Sequence, residues 1–310
     1  MIELAIPGRI NICLLGLAAL ANAVLLSGAS HAPNVWVAVL CALLFSYTAN
    51  TTFALLHEAV HGVFHSNATV NRWAGRFAAA FFPTGFSLQQ AYHLTHHRNN
   101  RSPLERFDYV QPGDVVWVKR VQWYSILTGV YWLASVFGLL VYLVLPIALR
   151  LPFLRNKSSR FATQTTSAQY FAALDALPPV VSRLEILFSL GVQVLMFLAL
   201  DLSFVGWALC YAAFAVQWSG LQYADHAFSP LDQRDGAWNL KVNAVTRALF
   251  LNYHLHQAHH RFPGAPWIHL RGLVDRSQPQ PSYLGIWLRM WGGPRPLPID
   301  GGTGSPQSPG

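Results

Sequence analysis

Charge is what this chain has least of. Only 11% of its 310 residues are Asp, Glu, Lys or Arg, against roughly 25% in ordinary soluble domains. Hydrophobic residues make up 53%, and the mean hydropathy is +0.31. So few charges cannot cover a water-facing surface, which excludes a secreted scaffold, a disordered protein and a nucleic-acid binder and implies an integral membrane protein. Cysteine is scarce too. Cys13, Cys41 and Cys210 sit in apolar runs with no CxxC pair, so they read as buried thiols, neither disulfides nor zinc ligands. The chain has no cysteine cluster for iron–sulfur or rubredoxin iron and no GxGxxG nucleotide fingerprint. Acidic residues number 13 against 21 Lys and Arg, a net charge of +8. In a membrane chain that excess reads as cytoplasmic loops beside an anionic leaflet.

What is present is a series of apolar runs. Residues 10–29 have the roughly 20 residues that cross a bilayer core. They lack a basic n-region with a cleavage pattern, which favours a retained helix over a signal peptide. A second run, 35–56, completes a hairpin and is predicted to continue helically to Gly62. Residues 73–86 are apolar but too short to span, with Pro83 and Gly85 as breakers, and are predicted to lie at the interface. Runs 184–200 and 204–221 form a second hairpin around Asp201-Leu202-Ser203. Between the hairpins lies 121–149. The basic stretch Arg150, Arg155, Lys157 and Arg160 that follows it is predicted to be cytoplasmic. If the histidines near 93 and 226 share one side, run 121–149 must enter and leave on that side. Half of it is too short to cross about 30 Å, so it is predicted to be a re-entrant or interfacial hairpin, broken near Gly129 or Gly138. The fold class is thus all-α integral membrane: about four transmembrane helices, this hairpin and a cytoplasmic histidine-bearing cap. One domain is expected over 1–293, with a disordered Pro/Gly/Ser-rich tail over 294–310.

Histidine is over-supplied: 13 residues, as many as all the acids together. His57-Glu58-Ala59-Val60-His61 is an HxxxH. His93-Leu94-Thr95-His96-His97 and His256-Gln257-Ala258-His259-His260 are both HxxHH, and Asp225-His226 follows the last apolar helix. Residues three and four apart share a helical face, so each box can aim two or three imidazoles at one point. Neutral imidazole binds iron, zinc, copper and nickel. A tetrahedral zinc takes four ligands, so nine histidines are too many for one such ion and suit two metals. An all-histidine pair in a membrane makes chemical sense as a redox-active iron pair activating dioxygen. His31, His65, His254 and His269 read as loop, interface or packing residues.

These boxes, with Gly62 after the first, Tyr92 before the second, and Asn252-Tyr253-His254 leading to Arg261-Phe262-Pro263 around the third, resemble the membrane fatty acid desaturase superfamily over roughly residues 35–295. The resemblance implies a non-haem di-iron centre, with His57, His61, His93, His96, His97, His226, His256, His259 and His260 as metal ligands. It also implies dioxygen as co-substrate and a separate electron donor of ferredoxin, rubredoxin or cytochrome type. The expected substrate is a fatty acyl chain or another lipid in the membrane. Hydroxylation or ketolation of a terpenoid or alkane, or oxidative decarboxylation of a fatty acid, are alternatives within the superfamily; a membrane zinc hydrolase and a non-catalytic metal binder are alternatives outside it. Acyl-CoA desaturases carry asparagine four residues before the isolated histidine, where this chain has Gln222. Gln222, Asp225, Glu58 and Asp108, together with Glu105, are candidates for orienting the ligands. Asn99, Arg101 and Asp108 are candidate head-group contacts, and Trp36, Phe53, Phe81, Phe82, Phe86 and Trp218 are candidate channel residues.

Overall fold

The computed structural model describes residues 4–151, 163–165 and 167–298. Helices α1 (Gly8–Ser30) and α2 (Val35–Val60) form the first hairpin, and 23 residues at 1.5 Å each make α1 about 34 Å long. Asn34 caps α2, its Oδ1 accepting from Val37 N–H at 3.1 Å. The outward face of α1 is bare, with Leu17, Leu20 and Val24 exposed, as befits a surface that meets lipid. By contrast α2 is buried continuously from Ala49 to Val60 and forms the centre of the bundle.

Short helices follow: α3 (Ala68–Phe81) and α4 (Phe86–Asn99), separated at Pro83 and Gly85 as the sequence predicts. Then come α5 (Val116–Leu127) and α6 (Val130–Val144), bent at 93° to each other. Gly129 makes the bend, with a left-handed φ of +78 and a position where a Cβ would stand 2.8 Å from Val216 N. Gly138, the other candidate, lies inside α6 with open space around it. At about 22 Å, α6 alone is too short to cross the bilayer, and the bent pair has the form either of a re-entrant hairpin or of one broken span. A 3-10 turn, Pro146–Arg150, follows it. Arg155, Lys157 and Arg160 lie outside the described residues.

After α7 (Ala168–Asp175) come two further long apolar helices, α8 (Pro179–Ala199) and α9 (Phe204–Ala224). Helix α8 begins five residues earlier than the apolar run because Pro179 is preorganised for its first turn. With α1 and α2, these make four helices long and apolar enough to span among the described residues. Three pairs of their polar side chains bond to each other inside the bundle, as an apolar medium favours. Asn22 Nδ2 donates to Thr52 Oγ1 at 3.0 Å, Asn50 Nδ2 to Gln217 Oε1 at 2.9 Å, and Gln193 Nε2 to Tyr211 at 2.7 Å.

The polar cap holds α10 (Ala244–Leu249), α11 (His256–Arg261), α12 (Leu270–Leu273) and α13 (Tyr283–Met290). Strand β1 (Tyr109–Val110) pairs in parallel with β2 (Arg295–Pro296). That pairing corrects the expected tail boundary: Arg295 N–H donates to Asp108 O and Leu297 N–H to Val110 O, so the chain stays attached just beyond 293. Residues 299–310 lie outside the described residues. Two further expectations are corrected. Trp36 is 78% exposed at the start of α2, the end away from His57, and lines no channel. Among the cysteines only Cys210 is buried; Cys13 is exposed on α1 and Cys41 half-buried, all of them free thiols. A small apolar side chain facing lipid needs no burial, so an apolar run alone does not tell the two apart.

Candidate metal centre

The two inner spans run to the same end of the bundle. His57 stands in the last turn of α2, and His61 just past it, where Gly62 (φ +76) ends the helix. His226 follows α9 directly. Helix α4 brings His93, His96 and His97 to that end, and the single turn of α11 brings His256, His259 and His260. Two left-handed residues, Leu251 and Asn252 (φ +47 and +58), reverse the chain before α11. Asn252 Nδ2 is held by Trp267 O at 3.1 Å, and the reversal places the Tyr253 ring 5.0 Å from that of His57.

The nine imidazoles fall into two groups. His57, His61, His93, His97 and His259 form one; His96, His226, His256 and His260 form the other. Within each group one nitrogen or more per ring lies within 4.8 Å of the rest. Each HxxHH box therefore feeds both groups. Successive residues turn about 100° around a helix, so His93 and His97 face one way while His96 faces the other, and His259 likewise diverges from His256 and His260. The groups adjoin, with the His97 and His260 ring centroids 4.3 Å apart.

Proton bookkeeping shows that a cation fits here. In the larger group, Nε2 of His93 lies 2.7 Å from that of His61 and 2.9 Å from that of His97, which is 2.9 Å from that of His259. A neutral imidazole has one N–H and one lone pair, so even with tautomers alternating along this row His97 has to share a single N–H between two neighbours and His93 a single lone pair. In the smaller group, His96 Nδ1 donates to Glu105 Oε2 at 2.7 Å and His226 Nδ1 to Gly236 O at 2.8 Å. The neutral rings then turn their Nε2 lone pairs toward each other across 3.1 Å. Nε2 of His57 and of His260 are buried with no partner at all. A cation in each group gives its nitrogens a common partner, and the contacts of 2.7–3.1 Å suit nitrogens around bonds of about 2.0–2.1 Å.

Electrostatics favour the metal-ready form. Burial, reinforced by neighbouring histidines, holds His93, His226, His256, His259 and His260 well below the usual 6.5. It pushes His61 down to about 4 and His97 to about 2. Ligands must be deprotonated to bind metal, and these rings are.

The other candidates divide. Asp225, fully buried, places Oδ2 3.5 Å from His256 Nδ1, beside the smaller group. Gln222 Oε1 accepts from the Tyr253 hydroxyl at 2.9 Å, and its Nε2 is buried without a partner. Glu58 lines a small cavity with His57, His256 and His259, and its Oε2 accepts from Trp267 N–H at 3.0 Å. Asp108 and Arg101 form a buried two-pronged ion pair at 3.0 and 2.8 Å, and Asp108 also accepts from Tyr223 and Phe228. That pair braces the loop and is neither ligand-orienting nor open to a head group; Asn99 donates to Thr95 O within α4. His31 and His269 bond to Leu200 O and Ala5 O, His65 Nδ1 accepts from Asn67 N–H, and His254 is buried outside both groups.

Some supporting residues carry no sequence signal. Asn239 holds α11 in place, its Oδ1 accepting from Ala258 N–H and its Nδ2 donating to Gln257 Oε1. The Gly236 partner of His226 is a backbone carbonyl, invisible in residue identity. Glu105 was legible only as an acid near a box.

No curated protein matches the chain. The family model described as fatty acid desaturase matches residues 33–291, a stretch that holds three of the four spans and all nine clustered histidines. The chain belongs to the fatty acid desaturase family.

Proposed function

We propose that the protein is a membrane-bound non-haem di-iron oxidoreductase that desaturates a fatty acyl chain, using dioxygen and electrons from an external carrier. The observation that carries this reading is the division of nine imidazoles into adjoining groups of five and four, one for each of two ions. No thiolate and few carboxylates compete, which suits iron held by imidazole. Two bound iron ions would supply dioxygen reduction and attack on an unactivated C–H bond. The chain itself supplies ligand orientation, through Glu105 on His96 and Gly236 O on His226, and a dry approach. Phe53 sits 5.1 Å from Phe82, 5.3 Å from Trp218 and 5.9 Å from Tyr253, and Tyr253 touches His57. An acyl chain entering from the bundle meets this aromatic wall, which excludes water from the reacting carbon. The position of that carbon relative to the metals decides between desaturation and hydroxylation.

The donor, of ferredoxin, rubredoxin or cytochrome type, approaches the polar cap, and the histidine end faces the cytoplasm in keeping with the positive-inside rule. Gln222, one contact removed from the larger group through Tyr253, supports that group from the α9 side. The test is product analysis. Purified protein in detergent, given fatty acyl lipids, a reduced ferredoxin and air, is expected to form product two hydrogens lighter, and none without oxygen or reductant. Turnover that needs neither would favour a zinc hydrolase instead.

A further inference from the structure

The tyrosine on the first turn of α7 reaches the smaller histidine group from outside. Tyr170 O–H donates to Glu105 Oε1 at 2.7 Å, while the other oxygen of that carboxylate, Oε2, accepts from His96 Nδ1 at 2.7 Å. The Tyr170 ring also packs edge-on against Tyr92, at 5.7 Å between centroids, and Tyr92 immediately precedes the box on α4. Glu105 is buried at 6% exposure, so its carboxylate has no free rotation in water to fall back on. Its two oxygens are each committed to one partner. We infer that Tyr170 is a positioning residue for the four-histidine group: its hydroxyl sets the Glu105 carboxylate, and the carboxylate sets the ring of His96. The inference rests on the metal reading proposed above.

The loop does not depend on this hydroxyl for its fold. The Glu105 carbonyl accepts from Tyr223 O–H at 3.1 Å, Glu105 N–H donates to Ser102 O, and the Arg101–Asp108 pair braces the same loop. Helix α7 is anchored independently, since Leu174 packs with Leu88 of α4 in one apolar cluster. Removing the hydroxyl alone therefore frees the carboxylate to swing while loop and helix stay in place. His96 then loses its fixed tautomer and direction, and a metal held through His96 loses affinity. His61, His93 and His97 gain nothing from Glu105, so the five-histidine group is spared. A packing residue would weaken both groups or neither.

The test uses cobalt(II) as the probe, titrated into metal-stripped full-length protein in detergent and followed by its visible absorption. Wild type is expected to bind about two equivalents, one per histidine group. Tyr170→Phe and Glu105→Gln should each weaken one of the two binding steps by about tenfold, the low end for an outer partner of a ligand histidine, and leave the other step and the melting temperature unchanged. Tyr124→Phe, which removes an exposed hydroxyl bonded to Trp291 O, should leave both steps alone. Both steps unchanged in Tyr170→Phe and Glu105→Gln, or both weakened equally, would overturn the inference while the metal reading stands. Failure of wild type to take up cobalt would overturn the metal reading and this inference with it.

Discussion

At the scale of single residues, the chain spends free energy on neutral imidazoles. Burial disfavours the charged form of His93, His226, His256, His259 and His260, so on unfolding these histidines recover a pKa near 6.5. A group with a depressed folded pKa leaves the unfolded state binding more protons, and stability then falls as pH drops below the unfolded value. The metal-free protein is therefore expected to melt at a lower temperature at pH 5.5 than at pH 8, with His61 and His97, at about 4 and about 2, among the contributors. An unchanged melting temperature across that range would contradict the burial of the two groups. The convergence of the nine histidines was legible at this scale because histidine at i, i+3 and i+4 has few other uses. What the spacing did not reveal is that each HxxHH box is divided between two groups. That division depends on how α4 and α11 are rotated against α2, a matter of packing. That Asp108 is committed to Arg101 was hidden for a related reason: proximity in sequence says nothing of the direction in which a carboxylate turns.

At the scale of elements, the bend between α5 and α6 is the feature most specified by one residue. Gly129 combines a left-handed φ with a close approach to the backbone of α9, and either alone penalises a side chain. Gly129→Val should destabilise the protein in detergent by about 2–3 kcal/mol or prevent its accumulation, since left-handed β-branched residues cost of order 1–3 kcal/mol before any clash. Gly138→Ala, in open space within α6, should be neutral or stabilising because alanine is the better helix former. Equal tolerance of both substitutions, read from thermal unfolding, would contradict the bend. The sequence pointed to both glycines without choosing between them, because length and hydropathy mark where a span fails and not where it turns. The four spans were legible from their apolar runs. The start of α8 lies five residues before the apolar run, where Pro179 opens the helix.

At the scale of the whole molecule, the inner spans α2 and α9 end on the same side, and every clustered histidine lies there. A bundle of four apolar helices thus closes over a polar cap whose centre is two groups of imidazole, with an aromatic wall between that centre and the lipid-facing helices. The parity argument took the histidines near 93 and 226 to share a side, and the structure brings them together. The attachment of residues 295–297 to the 108–110 segment was not, because Pro- and Gly-rich composition resembles disorder whether or not a backbone partner is at hand. The most direct test of the account is the metal content of protein purified in detergent, for wild type, His61→Ala and His260→Ala. The account predicts about two irons per wild-type chain, and about one in each variant, as suits one ion per group. About one zinc per chain, persisting after expression in excess iron and unaffected by one of the two substitutions, would contradict it.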